Sequence, residues 1–163
     1  MIKQFVPSEY CLKCKGCCRF KEADSVWVPC LLDEEIQELL DKKIPSAAIS
    51  RERRLMAVPD PCAEGSICPF LSAQDNECRI YGGRPFECQL YPFIINMRNK
   101  KILLTVDLNC PYIEEKINTQ EFKEYVEYLA GLLNSAPYLK LFKDNPHILQ
   151  AYESVGHIME LDI

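Results

Sequence analysis

The sequence predicts an α+β fold: a small irregular core organised by metal, carrying a β-hairpin and packed against several helices, among them a helical C-terminal part. Three observations predict it. All ten cysteines lie at or before Cys110, so the thiols are confined to one part of the chain. An amphipathic stretch at 31–43 and an aromatic-rich tail have helical spacing. Between them, two β-branched apolar runs flank a polar turn.

With 163 residues the chain is expected to form one domain, 1–163, with a cysteine-rich metal-binding part at 1–112 and helical support at 113–163. The net charge of −5 and the mixing of acids with bases exclude an extended nucleic-acid groove or an anionic membrane surface as main partner. Arg51, Arg53 and Arg54 read as a solvated face. The apolar runs are too short to cross a bilayer and the N-terminus lacks a secretory h-region, so a cytoplasmic protein is expected. In reducing cytosol, clustered thiols bind metal more readily than they form disulfides.

Each element has a local reason. In residues 31–43, Leu32, Ile36, Leu39 and Leu40 share one face, acids occupy the first turn and lysines the last; Pro45 closes the helix. Residues 93–97 and 102–106 read as a strand pair joined by a turn at 98–100. Asn118, with Glu121 three residues on, reads as a capping box. Phe122, Tyr125, Val126, Leu129, Leu132 and Leu133 then form an apolar stripe that Pro137 interrupts. A last helix is expected from Asn145-Pro146 to near Gly156.

The chemistry lies in the cysteines. Cys11, Cys14, Cys17 and Cys18 form C-x2-C-x2-C-C, with Gly16 in the bend. Two-residue spacing turns successive thiolates toward one ion or cluster. Cys68-Pro69-Phe70-Leu71 follows, then Cys78-x-Ile80-Tyr81-x-x-Arg84-Pro85-x-x-Cys88-x-x-Tyr91-Pro92, and later Cys110-Pro111. Adjacent residues of an extended chain point opposite ways, so Cys17 and Cys18 should not serve one ion together. The placed thiols supply either two four-cysteine sites or one site with spare thiols. Cys30 and Cys62 fall outside the motifs and read as ordinary buried thiols.

This order of motifs resembles the CxxCxxCC, or YkgJ-type, cysteine-cluster family, described as a zinc- or iron-chelating domain; flagellin lysine N-methylases carry a similar cluster. The resemblance covers 11–18 and 68–92 closely and implies metal ligands at Cys11, Cys14, Cys17, Cys18, Cys68, Cys78 and Cys88, with Cys110 a looser match. Tyr81, Arg84, Pro85, Tyr91 and Pro92 also fit it.

The triplet plus a remote Cys-Pro is similar to the bacterial ferredoxin pattern, which favours an iron–sulfur cluster of the 4Fe-4S type. Structural zinc is the alternative, although no second C-x2-C knuckle is present. A thioredoxin-like redox pair lacks the surrounding βαβ pattern.

Arg84 is expected near the cofactor, donating to cluster sulfurs, thiolates or an anionic substrate, or else fixing its loop through a carbonyl or Glu87. Tyr81 and Tyr91 are expected to pack beside the site with hydroxyls free to bond. His147 and His157 read as surface or capping residues. No nucleophile elbow, phosphate loop or H-E-x-x-H pattern is present, and no catalytic residue stands out. Three functions follow: an iron–sulfur protein for electron transfer or cluster-based substrate activation, a zinc-stabilised interaction module, or a methylase-like protein-modifying enzyme or subunit. The partner, protein or small molecule, is not named by the sequence.

Overall fold

The computed structural model describes residues 2–14 and 16–162, and shows an α+β chain with two small antiparallel three-stranded sheets. It divides into two compact units, Met1–Gln89 and Leu90–Ile163. The change in composition at 112 does not coincide with this division. Among the described residues no helix is long and apolar enough to cross a membrane.

The first unit is mostly loop. Helix α1 spans Ser8–Cys14 and is followed by a two-residue strand, β1, Arg19–Phe20. Helix α2, Asp33–Asp41, starts two residues later than the amphipathic stretch. Its entry is fixed by the Glu35 carboxylate, which reaches back to accept from the Leu32 N–H at 2.9 Å. Lys42 and Lys43 fall beyond its last turn. Strands β2, Val58–Pro59, and β3, Ser66–Ile67, complete a sheet of order β1-β3-β2. Gly65 introduces β3 at φ 100°, and a Cβ there would stand 2.6 Å from the Phe20 carbonyl oxygen, so only glycine fits. Helix α3, Phe86–Leu90, ends this half of the chain. Phe20, Val28, Leu31, Leu39, Leu55, Ile67, Phe70 and Leu71 form the core, and Cys68 is part of it.

The second unit has regular elements. Strands β4, Phe93–Arg98, and β5, Lys101–Val106, pair in full register from Phe93↔Val106 to Arg98↔Lys101. Asn99 and Lys100, both at positive φ, make the two-residue turn that suits the twist of a hairpin. The predicted strand pair is therefore present, with a shorter turn. Helix α4 covers Pro111–Lys116, and α5 covers Gln120–Leu133. The cap of α5 is Thr119 rather than Asn118: its hydroxyl accepts from the Phe122 N–H at 3.2 Å. The apolar stripe of α5 buries Phe122, Tyr125, Leu129 and Leu133, and Phe93 packs on the rings of Phe122 and Tyr125 at 5.6 and 5.1 Å.

Two expectations about the tail are corrected. Pro137 does not merely interrupt a helix; it sits in the first turn of a new one, α6, Ala136–Asp144, where a missing N–H costs nothing. The expected helix from 145 to 156 is absent: only Pro146–Ile148 form a single 3-10 turn. Residues Gly156–Glu160 are instead strand β6, which adds to β5 with a register shift at Leu104/Thr105. Edge pairing overrides local preference here, because the third strand takes up hydrogen bonds that β5 would otherwise leave open. Asn96 holds the approach to β6, its side chain bonding both the N–H and the carbonyl of Tyr152 at 3.0 Å.

Candidate metal centre

The C-x2-C-x2-C-C segment is not continuous in conformation. Cys11 and Cys14 lie one turn apart on α1, with Cys14 exposed and its Sγ 3.4 Å from where a Gly16 Cβ would stand. The carbonyls of Cys11 and Leu12 accept from the Asn76 amide, at 3.3 and 2.9 Å, which anchors the end of this helix. Cys17 and Cys18 then occupy the corners of a turn closed by Arg19 N–H to the Gly16 carbonyl at 3.1 Å. The extended-chain argument for opposed side chains does not apply in a turn, and the two thiols hydrogen-bond each other.

Pairing of β1 with β3 brings the second motif to the first. The Cys68 N–H donates to the Cys18 carbonyl at 2.9 Å, just beyond the Arg19↔Ile67 pair. Cys68 starts a turn whose carbonyl accepts from Leu71, and Cys78 starts another that accepts from Tyr81, at 3.0 and 3.1 Å. Cys88 comes from α3. Every pair among Cys17, Cys68, Cys78 and Cys88 lies within electrostatic reach. These four thiols, from four segments of one unit, influence one another electrostatically.

Their protons are held tightly. The bond with Cys18, and then desolvation, push the Cys17 thiol well up. Burial pushes Cys68 up to about 11, raises Cys78, and raises Cys88 strongly, with the neighbouring thiols adding to it. Amides work in the opposite direction. The backbone N–H groups of Phe70 and Leu71 are directed at the Cys68 thiol, and that of Ile80 at Cys78, favouring the thiolates. Arg84 likewise pulls down on Cys17 and Cys78.

The remaining predicted residues separate. Cys110 belongs to the second unit, buried at the N-cap of α4. Tyr91 is also there, its hydroxyl donating to Asp107 at 2.7 Å. Tyr81 stays in the first unit, its ring under the Arg84 guanidinium at 4.0 Å. Glu87 does not pair with Arg84; it accepts from the Cys30 N–H at 2.7 Å. Cys30 is buried as expected, but Cys62 is exposed, because 61–65 is an open loop before Gly65. Arg54 is no solvated residue: it donates to the carbonyls of Val26 and Val28. Among the described residues no group of three or more Cys, His, Asp or Glu side chains is placed so that it could hold a metal ion.

The donor chemistry, thiols with backbone amides aimed at Cys68 and Cys78, is that of a soft-metal site, and the Arg84 Nε is buried with no acceptor. Sequence reasoning missed Gln4 and Ser8, which bond Tyr81 and Arg84 from about 80 residues away; no local spacing signals them.

Residues 10–124 match the CxxCxxCC family, described as a "putative zinc- or iron-chelating domain". The chain belongs to this family of cysteine-rich, metal-chelating domains. An uncharacterized protein of Methanocaldococcus jannaschii is 41% identical over 44 residues, which cover 27% of this chain and 24% of that protein. The match therefore spans about a quarter of the relative. No solved structure matches the chain.

Proposed function

We propose that Cys17, Cys68, Cys78 and Cys88 hold one iron–sulfur cluster, and that this chain serves electron transfer or cluster-based activation of a substrate in the cytoplasm. The observation that carries the reading is the electrostatic influence of these four thiols on one another, with amides already aimed at Cys68 and Cys78. No two of the four come from one C-x2-C knuckle, the arrangement structural zinc commonly uses. An iron–sulfur cluster would be held by one thiolate from each of these segments.

When bound, the group would supply one-electron chemistry or a Lewis-acidic iron. The chain's own residues prepare the site. The turns at 68–71 and 78–81 present sulfur beside backbone N–H donors, and α3 delivers Cys88. Loading requires that thiol protons leave, against burial and with the help of Arg84 and the amides. Cys11, Cys14 and Cys18 remain as spare thiols or as ligands of a second centre, and Cys110, in the second unit, as a spare thiol. The core of the first unit is then organised by metal as well as by its apolar cluster.

A zinc-stabilised interaction module is the second reading. It is favoured by the two-residue strands of the first unit, where a structural ion would replace missing core.

Anaerobic purification followed by iron, sulfide and zinc analysis separates the two. A brown protein with broad absorption near about 400 nm and matched iron and sulfide supports the cluster. A colourless protein with stoichiometric zinc sinks it in favour of the second reading.

A further inference from the structure

Arg84 is held with unusual care for a residue that pairs with no carboxylate among the described residues. Its guanidinium lies on the Tyr81 ring at 4.0 Å, and its Nη2 donates to the Gln4 Oε1 at 3.3 Å. That same oxygen accepts from the Tyr81 hydroxyl at 2.7 Å, and Ser8 Oγ meets the hydroxyl at 2.5 Å. The Gln4 amide is fixed at its other end by the Val6 carbonyl, at 2.5 Å. Residues 4–8 thus form a strap across the second cysteine motif. The Arg84 carbonyl accepts from Gln89 at 2.8 Å, which fixes the backbone too.

Glu87 accepts from Cys30, and Glu35 from Leu32 and Phe86. Glu38 faces Lys42 at 3.7 Å, and Glu34 and Glu38 line the same cavity as Arg84. Among the described residues, Arg84 Nε is the one buried side-chain nitrogen or oxygen with no partner. A buried N–H left without an acceptor costs free energy, and a strap that holds it there implies an acceptor that arrives later. The ring that carries the guanidinium belongs to Tyr81, whose N–H donates to the Cys78 carbonyl at 3.1 Å, and Arg84 itself leads into α3, which bears Cys88.

We propose that Arg84 is a positioning residue of the thiolate centre, whose Nε–H donates to a ligand sulfur of the loaded site while Gln4, Ser8 and Tyr81 clamp its guanidinium in place. The proposal rests on the reading that Cys17, Cys68, Cys78 and Cys88 bind metal. Its physical basis is charge. Four thiolates around a divalent ion carry a net −2, and a fixed cation in contact lowers the cost of holding that charge away from water. An N–H donor on a thiolate also stabilises its lone pair and weakens its donation to the metal.

The test uses the reduced full-length chain titrated with Co2+, with affinity measured by chelator competition and the sulfur-to-cobalt charge-transfer band recorded. Wild type should bind and show the band. Arg84→Gln should bind at least ten times more weakly, with the band moved to lower energy. Arg84→Lys should recover part of the affinity but not the band, since the ammonium keeps the charge without the planar fork. Gln4→Ala, which loosens the clamp and touches no thiol, should weaken binding about threefold.

Wild-type affinity and an unmoved band in Arg84→Gln would overturn the proposal while leaving the metal centre standing. A wild-type chain that binds no cobalt would remove the metal-binding reading itself. If Arg84→Gln fails to fold, Arg84→Lys and Gln4→Ala decide: an unshifted band in the first and unchanged affinity in the second overturn the clamp.

Discussion

The two units of this chain are built on different principles. The second is held by backbone ladders: six-residue strands in register, a two-residue hairpin turn, and a 14-residue helix whose apolar stripe is buried. The first has strands of two residues and long loops, tied by side chains that bond the backbone. Glu35 on Leu32 and Phe86, Arg54 on Val26 and Val28, and Glu87 on Cys30 are its struts. Nine of the ten cysteines sit in the first unit. The contrast teaches that the thiols lie where regular structure is scarce, and under the proposed ligation metal binding and folding would share one free energy.

Metal removal tests that contrast most severely. Stripping metal with a strong chelator should destabilise the first unit by about 5 kcal/mol or more, given the scale of thiolate ligation in small domains. Hydrogen exchange should rise across 66–88 while β4, β5 and β6 keep their protection. Equal protection at 66–88 with and without metal would mean that the side-chain struts suffice. Cys78→Ser should reproduce the chelated pattern.

The converse perturbation belongs in the second unit. Leu129 is fully buried in α5, and truncating it leaves a cavity that the regular packing cannot close. Leu129→Ala should cost about 3 kcal/mol in urea melts, with metal stoichiometry unchanged. A loss of metal in this variant would show that the centre depends on the second unit's core.

How much of this was legible depended on range. The hairpin at 93–106 and the stripe of α5 were readable because their signals are local: β-branched runs around a turn, and a 3.6-residue repeat. The strand Gly156–Glu160 was not, since His157-Ile158-Met159-Glu160 has no clear period and owes its form to the β5 edge. Family spacing identified the cysteine-rich motifs of the family that the chain belongs to. It could not single out the four thiols proposed as ligands, because their placement depends on the β1–β3 pairing and on the turn at Cys17 and Cys18. Arg84's partner Gln4, and Ser8 on the Tyr81 hydroxyl, depend on contacts spanning most of the unit.

A smaller effect separates the struts of the first unit from its metal. Burial raises the Glu35 carboxyl to about 7 from an ordinary value near 4.5, although two amides oppose the shift. A carboxyl whose pKa is higher in the folded state contributes stability that is complete below about 4.5 and is lost as pH rises through about 7. Chelator-treated protein should therefore lose about 2 kcal/mol between pH 5 and 7.5, discounted from the full shift for partial solvent contact. Glu35→Gln should be flat over this window and weaker at its acid end, since an amide oxygen cannot serve both N–H groups as well. A wild-type slope equal to that of the variant would remove Glu35 as the source.

The smallest test concerns which residue ends a loop in the second unit. Thr119 and Asn118 are both good caps by composition, and the capping box favours Asn118. The structure gives the role to Thr119, whose hydroxyl accepts from Phe122 while donating to the Lys116 carbonyl at 2.7 Å. One hydroxyl thus joins the end of α4 to the start of α5. Thr119→Ala should cost about 1 kcal/mol, and Asn118→Ala less than about a third of that. Thermal melts of the two variants rank them directly, and the reverse order would restore the capping box. Because the bond is local, neither variant should change the metal content, whereas an equally small change to the strap at Gln4 should.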